Sequence, residues 1–123
     1  MRTFLRAKIH RGTVTGCDLE YEGSCGLGPE LLEVSGIRPL ERIGILNITN
    51  GARLETYALL GQEEGEITLN GAAAHLADEG DQVIIVAYES VEEKGVDTHK
   101  ARIVLLGERN AIVSVREDST HLL

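Results

Sequence analysis

At 123 residues the chain fits one ordinary domain, able to remove roughly two-thirds of its unfolded surface from water without disulfide or metal staples. It is 42% hydrophobic but only 3% aromatic, with no Trp, so Val, Ile, Leu and Ala must fill the core, a usage that suits a pleated sheet. Twelve Lys and Arg against 20 Asp and Glu give a net charge of -8, which repels phosphate backbones and anionic membrane surfaces and argues against nucleic acid or a membrane as partner. In chain order, residues 3–10 alternate, with Leu5, Ala7 and Ile9 on one parity and Arg6, Lys8 and His10 on the other, the period of a half-buried strand. Residues 13–15 and 18–21 read as further extended pieces, and 22–26 as a glycine-bearing turn. Pro29 near the start, acids in the first turn and Gly36 just past the end predict a short helix over 29–36. Strands at 43–48 and 52–59 flank Asn50-Gly51, the pair that suits a type I′ hairpin turn. Further strands are expected at 66–69, 82–88, 101–106 and 111–116, with 107–110 turning the last pair and 117–123 fraying. Many short strands with little helix predict an all-β fold, a closed barrel or sandwich, in a single domain.

Cys17 and Cys25 are too few and wrongly spaced for a secreted disulfide framework or a zinc motif, and no His, Cys and Asp cluster has metal-ligand spacing, so no metal is expected. Arg2, Arg6, Lys8, His10 and Arg11 interrupt any apolar stretch that could serve as a signal peptide. The longest sustained apolar run, 83–88, is far too short to span a bilayer. A cytoplasmic protein is the simplest expectation.

The chemistry of the chain centres on Gly23-Ser24. Alone, such a pair reads as a turn. Following an extended piece, it sits where a rigid framework can press a hydroxyl against a strained peptide bond, and glycine leaves the carbonyl free to meet Ser24 Oγ. Attack converts the amide to an ester, and elimination followed by hydrolysis leaves a pyruvoyl group at position 24. Such a reaction needs donors for the oxyanion.

Several ordered blocks then carry a resemblance along most of the chain: Lys8-Ile9-His10-Arg11, Val14-Thr15, Asp18-Leu19, Tyr21, Gly23-Ser24, Asn47-Ile48-Thr49-Asn50-Gly51, Arg53, Thr56-Tyr57-Ala58, Asn70-Gly71-Ala72-Ala73-Ala74-His75 and Gly80-Asp81. In these the sequence resembles the pyruvoyl-dependent aspartate 1-decarboxylases, which make β-alanine from L-aspartate for pantothenate biosynthesis. The resemblance implies a double-psi β-barrel, a homotetramer with sites between subunits, and a precursor cut autocatalytically into a β chain of residues 1–23 and an α chain of 24–123. It implies a covalent pyruvoyl cofactor from Ser24, which forms a Schiff base with the substrate, and no pyridoxal phosphate. It assigns Lys8 and Arg53 to the substrate carboxylates, Thr56 to maturation and substrate contact, and Tyr57 to proton donation. Gly71, Ala72 and Ala73 match the substrate-binding loop. His10, Tyr21 and Asn70 stand beside these as supporting residues. Gly12, Cys17 and the run Cys25-Gly26-Leu27-Gly28 depart from the expected pattern.

Read on their own, the residues fit this assignment in part. Arg53 offers a planar fork for a carboxylate, and a phenol such as Tyr57 is a competent general acid at hydrogen-bond distance. Strand parity sets Arg53 and Tyr57 on one face but turns Thr56 to the other, so a bulge or a site shared between subunits is needed to unite them. Two rival readings stay open at this level: a self-cleaving hydrolase that keeps Ser24 as a free N-terminal nucleophile, and a non-catalytic barrel that binds a ligand. The need for an accessory maturation factor is also open.

Overall fold

The structure, a computed structural model, describes residues 1–121. Among these, nine strands form a sheet in the order β2-β6-β3-β5-β4-β7-β1-β8-β9. They are β1 (Arg2–Thr13), β2 (Gly16–Asp18), β3 (Ser24–Leu27), β4 (Arg42–Asn47), β5 (Arg53–Leu60), β6 (Ile67–Asn70), β7 (Gln82–Val91), β8 (Lys100–Leu106) and β9 (Ile112–Ser119). The all-β expectation holds. Three neighbouring pairs, β1 with β8, β2 with β6 and β3 with β5, run parallel, so the chain makes long crossovers as well as hairpins.

The alternation in β1 works as the sequence implies: Ala7 and Ile9 are buried while Lys8 and His10 are only half-buried. The register against β7 shifts between Ile9 and Gly12, where Arg11 takes a positive φ of 63°. That irregularity bends the end of β1 across the sheet. Beyond it, Val14 N–H donates to Asp81 O at 2.9 Å and Thr15 N–H to Ile67 O at 2.8 Å, so the first strand is stitched onto β6 and the sheet curls back toward itself. The enclosed core is one aliphatic cluster running from Ala7 to Leu106, with Cys25 its sole sulfur. Among the described residues there is one α-helix, α1 (Pro29–Ser35), which buries Leu31 and Leu32 against this core and ends at Gly36, as predicted.

Four local expectations fail. The piece expected to be extended over 18–21 keeps only Asp18 in a strand, β2, because Asp18 Oδ1 accepts from Glu20 N–H at 3.0 Å and turns the chain ahead of Gly23-Ser24. Residues 22–26 are not simply a turn, because Ser24–Leu27 forms a fully buried strand between β6 and β5. Gly26 there marks close packing: a Cβ would collide with Thr68 Oγ1 and Glu66 Oε2. The β4–β5 connection is a hairpin but not a two-residue type I′ turn. Only Gly51 of the pair has positive φ (81°), and the loop closes through Asn47 N–H to Ala52 O at 2.8 Å and Gly51 N–H to Asn47 O at 2.9 Å. Finally, β9 pairs with β8 out to Lys100 opposite Ser119, so the expected fraying does not begin at 117; residues 122 and 123 lie outside the described ones.

Candidate active site

Ser24 opens β3, and its side chain is fixed by register. Cys25 and Leu27 point into the core, so Ser24 and Gly26 face the other way, opposite Asn70 and Thr68 of β6. Ser24 is nonetheless 0% exposed. Its Oγ donates to Glu22 O at 3.1 Å and accepts from Asn70 Nδ2 at 3.2 Å. The hydroxyl is thus held in place immediately after Gly23, with an amide donor on it and a carbonyl to orient its proton.

The chain after β6 locks this junction from below. Residues Gly71–Leu76 form a 3-10 turn that begins with Gly71 at a φ of 62°. A Cβ on Gly71 would lie 2.6 Å from both Gly23 Cα and Gly23 N, and 2.8 Å from Tyr21 O. Such an approach admits only glycine. Ala73 of the same turn is buried and Ala72 is exposed.

On the other side of β3, the parallel register sets Cys25 beside Ala58. One step back along both strands brings Ser24 level with Tyr57, on the same face. β5 pairs with β4 through Arg53–Tyr57 without a register shift. Arg53 and Tyr57 therefore do share a face, and Thr56 stays on the opposite one with buried Ala58. No bulge reconciles them. A groove of about 490 Å³ lies next to this junction, lined by Asp18, Tyr21, Gly26, Leu59, Glu66 and Asn70 among others; of the expected site residues it takes in Tyr21 and Asn70 but not Ser24, Tyr57, Arg53 or Lys8. A second cavity, of about 300 Å³, is lined by Arg42, Glu55 and Tyr88 and contains none of the expected site residues.

Lys8 and His10 lie apart from this cluster. In strand order β1 is separated from β3 by β5, β4 and β7, and Lys8 pairs there with Val86 and Ile103. Among the described residues, neither Lys8 nor Arg53 is in an ion pair, so both cations are free for an external anion. His10 Nδ1 is buried with no hydrogen-bond partner. Desolvation, then the charges of Lys8, Arg11 and Arg116, lower the His10 pKa and favour the neutral imidazole. Burial pushes the Cys25 thiol up to about 12, so the cysteine next to Ser24 is no competing nucleophile. The exposed Cys17, whose Sγ donates to Ala77 O at 3.4 Å, is also shifted upward, by desolvation and by Asp78, Asp81 and Glu79.

Sequence reasoning assigned no role to Asn47 or Asp81, although both fell within the matching blocks. Asn47 is 4% exposed, and its amide joins the β4–β5 loop to the end of the 3-10 turn: Nδ2 donates to Leu76 O at 3.3 Å and to Asp81 Oδ2 at 2.9 Å. The signal in the sequence was an asparagine near the end of the 43–48 strand, just ahead of Asn50-Gly51.

An all-β domain that holds a buried serine hydroxyl next to a glycyl junction, level with a tyrosine on the neighbouring strand, has the makings of an enzyme site. The comparisons make that class specific. The profile of the family described as aspartate decarboxylase matches residues 1–113, and the chain belongs to that family of carboxy-lyases. Its relatives include the aspartate 1-decarboxylase of Ralstonia pickettii (strain 12J), 48% identical over 94% of this chain and 98% of that one. That of Carboxydothermus hydrogenoformans is 48% identical over 97% and 94%, and that of Bordetella avium 46% identical over 94% and 96%.

Proposed function

We propose that the chain cuts itself between Gly23 and Ser24, and that the two-chain product, carrying a pyruvoyl group at position 24, converts L-aspartate to β-alanine and carbon dioxide, feeding pantothenate synthesis in the cytoplasm. The observation that carries the reading is Ser24 itself, wholly buried with its hydroxyl held between Glu22 O and Asn70 Nδ2. A merely structural serine does not need a glycine on its N-terminal side, nor a second glycine backbone pressed against that one.

The residues present fit the formation of the group. Ser24 Oγ adds to the Gly23 carbonyl carbon as the Gly23–Ser24 C–N bond breaks, giving an ester and a free amine. Elimination releases the Gly23 carboxylate and leaves a dehydroalanine, and water replaces its nitrogen, released as ammonia. Asn70 holds the hydroxyl, and Gly71 holds Gly23 in place for it, which is the positional part of the rate. Once formed, the pyruvoyl group supplies the electron-withdrawing carbonyl on which loss of a carboxylate depends.

The rest is the work of side chains. Arg53 presents a bidentate fork and Lys8 a point charge to the two substrate carboxylates, local attraction that outweighs the chain's net charge of -8. Tyr57, level with Ser24, returns a proton to the carbon that loses carbon dioxide. Backbone N–H groups of Gly71, Ala72 and Ala73 bind and orient the substrate, and Thr56 serves maturation from its own face of β5. Because Lys8 stands four strands from Ser24 in the sheet order, a site completed by another copy of the chain is the economical arrangement. Exposed Leu19, Tyr21 and Leu60 around the Ser24 face favour such a contact, in the homotetramer we infer. The parallel pairs and the stitching of β1 to β6 favour the double-psi barrel.

Intact-mass analysis tests the proposal directly. The wild type should give two chains with a blocked, carbonyl-reactive terminus at position 24, and Ser24→Ala a single inactive chain. A free serine at that terminus would establish the N-terminal nucleophile reading instead, and two chains from Ser24→Ala would end the mechanism.

A further inference from the structure

The block Asn47-Ile48-Thr49-Asn50-Gly51 carried much of the resemblance yet contains no residue given a chemical role. The structure shows what its first residue does. A neutral side-chain amide has two donor hydrogens and an acceptor oxygen with two lone pairs, and Asn47 uses all of them. Its Oδ1 accepts from Thr49 N–H at 2.9 Å and Asn50 N–H at 3.2 Å, while Nδ2 donates to Leu76 O and Asp81 Oδ2. Asn50 repeats the link, donating to the same Leu76 O at 3.0 Å and accepting from Ala52 N–H at 2.8 Å. The Ala52 carbonyl is in turn taken by Asn47 N–H. Both backbone groups of the residue preceding Arg53 are therefore tied to this pair of asparagines. On the far side, Asp81 Oδ2 also accepts from Asp78 N–H at 2.9 Å, closing the segment that follows the 3-10 turn.

We propose that Asn47 and Asp81 form a positioning clasp that sets Arg53, on the hairpin, in register with the Gly71, Ala72 and Ala73 backbone, so that both grip one dicarboxylate. The inference rests on the function proposed above for those groups. Neither residue touches the substrate. Each acts by fixing the spacing between two loops that do, because the loops share no strand pairing: β4 and β5 carry one, β6 the other, and the hydrogen bonds of Asn47 and Asn50 to Leu76 bridge them. No other uncharged side chain of this size offers the same donors and acceptors, so Asn47→Asp would turn both donors into a carboxylate facing Asp81.

The test compares Asn47→Ala, Asp81→Ala, Arg53→Ala and the double variant Asn47→Ala/Arg53→Ala with the matured wild type. Two readouts are used, steady-state aspartate decarboxylation and calorimetric binding of succinate, which has the two carboxylates but needs no turnover. All variants should still yield two chains. Asn47→Ala and Asp81→Ala should raise KM and the succinate Kd about tenfold with kcat changed less than about threefold, the pattern of lost binding shared by ground and transition states. The double variant should be no weaker than Arg53→Ala alone, within about twofold, because a clasp that works through Arg53 has nothing left to position. Unchanged KM and Kd beside a lowered Tm would overturn the proposal and leave a structural brace, as would losses that multiply in the double variant. If Asn47→Ala fails to fold, Asp81→Ala, at a half-buried site, decides by the same criteria. A wild type that binds succinate without decarboxylating aspartate would overturn the function above while the succinate series still judged the clasp; one that did neither would overturn both.

Discussion

Replacing Gly71 by alanine separates two costs that the structure assigns to different places. A left-handed backbone carrying a Cβ costs about 1–2 kcal/mol, and Gly71 has a φ of 62°. The added methyl would also lie 2.6 Å from Gly23 Cα and Gly23 N, where no flexible side chain can yield, so the backbone on one side must move. Overpacking of this kind costs about 1–3 kcal/mol more. The sum, about 2–5 kcal/mol, is a large part of a typical stability of roughly 5–15 kcal/mol, and should lower Tm by about 10–20 °C. Gly51 is the control: its φ is 81°, but nothing lies within 4 Å of its added Cβ. Gly51→Ala should thus lose only the backbone share, about 5 °C, and cleave normally. Gly71→Ala instead displaces Gly23 from Ser24 Oγ, and even 1–3 kcal/mol misapplied to the attack geometry slows cleavage by about 5- to 150-fold. The assay is the fraction of two-chain product against time by intact mass, at a temperature where both variants are folded by near-ultraviolet dichroism. Equal cleavage rates in Gly71→Ala and Gly51→Ala would refute the idea that the substrate loop also holds the scissile junction.

Tyr57→Phe keeps the ring and removes the hydroxyl, so it should mature as the wild type does but lose at least about a hundredfold in kcat, the usual scale of general acid catalysis; near-normal turnover would remove Tyr57 as proton donor. Asn110 is 3% exposed and holds three backbone groups, Thr13 N–H at 2.8 Å, Thr13 O at 2.9 Å and Gly65 O at 2.7 Å. Asn110→Ala leaves them unpaired and should cost about 3 kcal/mol, read from urea unfolding. The Asp81 pKa is lowered, chiefly by the Asn47 hydrogen bond and then by Asp78 N–H. Its contribution is therefore complete above the unfolded pKa and is lost as pH falls through the lower folded one. The Tm gap between the wild type and Asp81→Asn should be full at about pH 7 and close below about pH 4. A gap constant with pH would mean that the charge of Asp81 is irrelevant to the clasp.

Much of the fold was legible because it follows from local rules. The alternation of residues 3–10 predicted β1 and which of its side chains turn inward; Pro29 and Gly36 bracketed the helix to within a residue. The failures share a cause. Ser24–Leu27 looks like a turn because three of its four residues, Ser24, Cys25 and Gly26, are small, and it becomes a strand only because β5 and β6 flank it on both sides. Asn50-Gly51 looks like a type I′ turn, but the Asn47 side chain captures the amides of Thr49 and Asn50 and enforces a wider loop.

The same division runs through the candidate site. The residue types and their order, from Lys8 through Gly23-Ser24, Arg53 and Tyr57 to the Gly71 loop, are written in the chain, and they suffice to place it in its family, because chemistry needs particular side chains at particular separations. Which of them meet is a matter of long-range pairing. Ser24 faces Asn70, 46 residues on, and stands level with Tyr57, 33 residues on, because strands far apart in the chain are in register, whereas Lys8 and His10 lie across the sheet. Periodicity within a segment says which way a side chain points, but only the packed sheet decides what it points at. The buried hydroxyl of Ser24, the close approach of Gly71 to Gly23 and the fully bonded amide of Asn47 therefore became visible only in three dimensions.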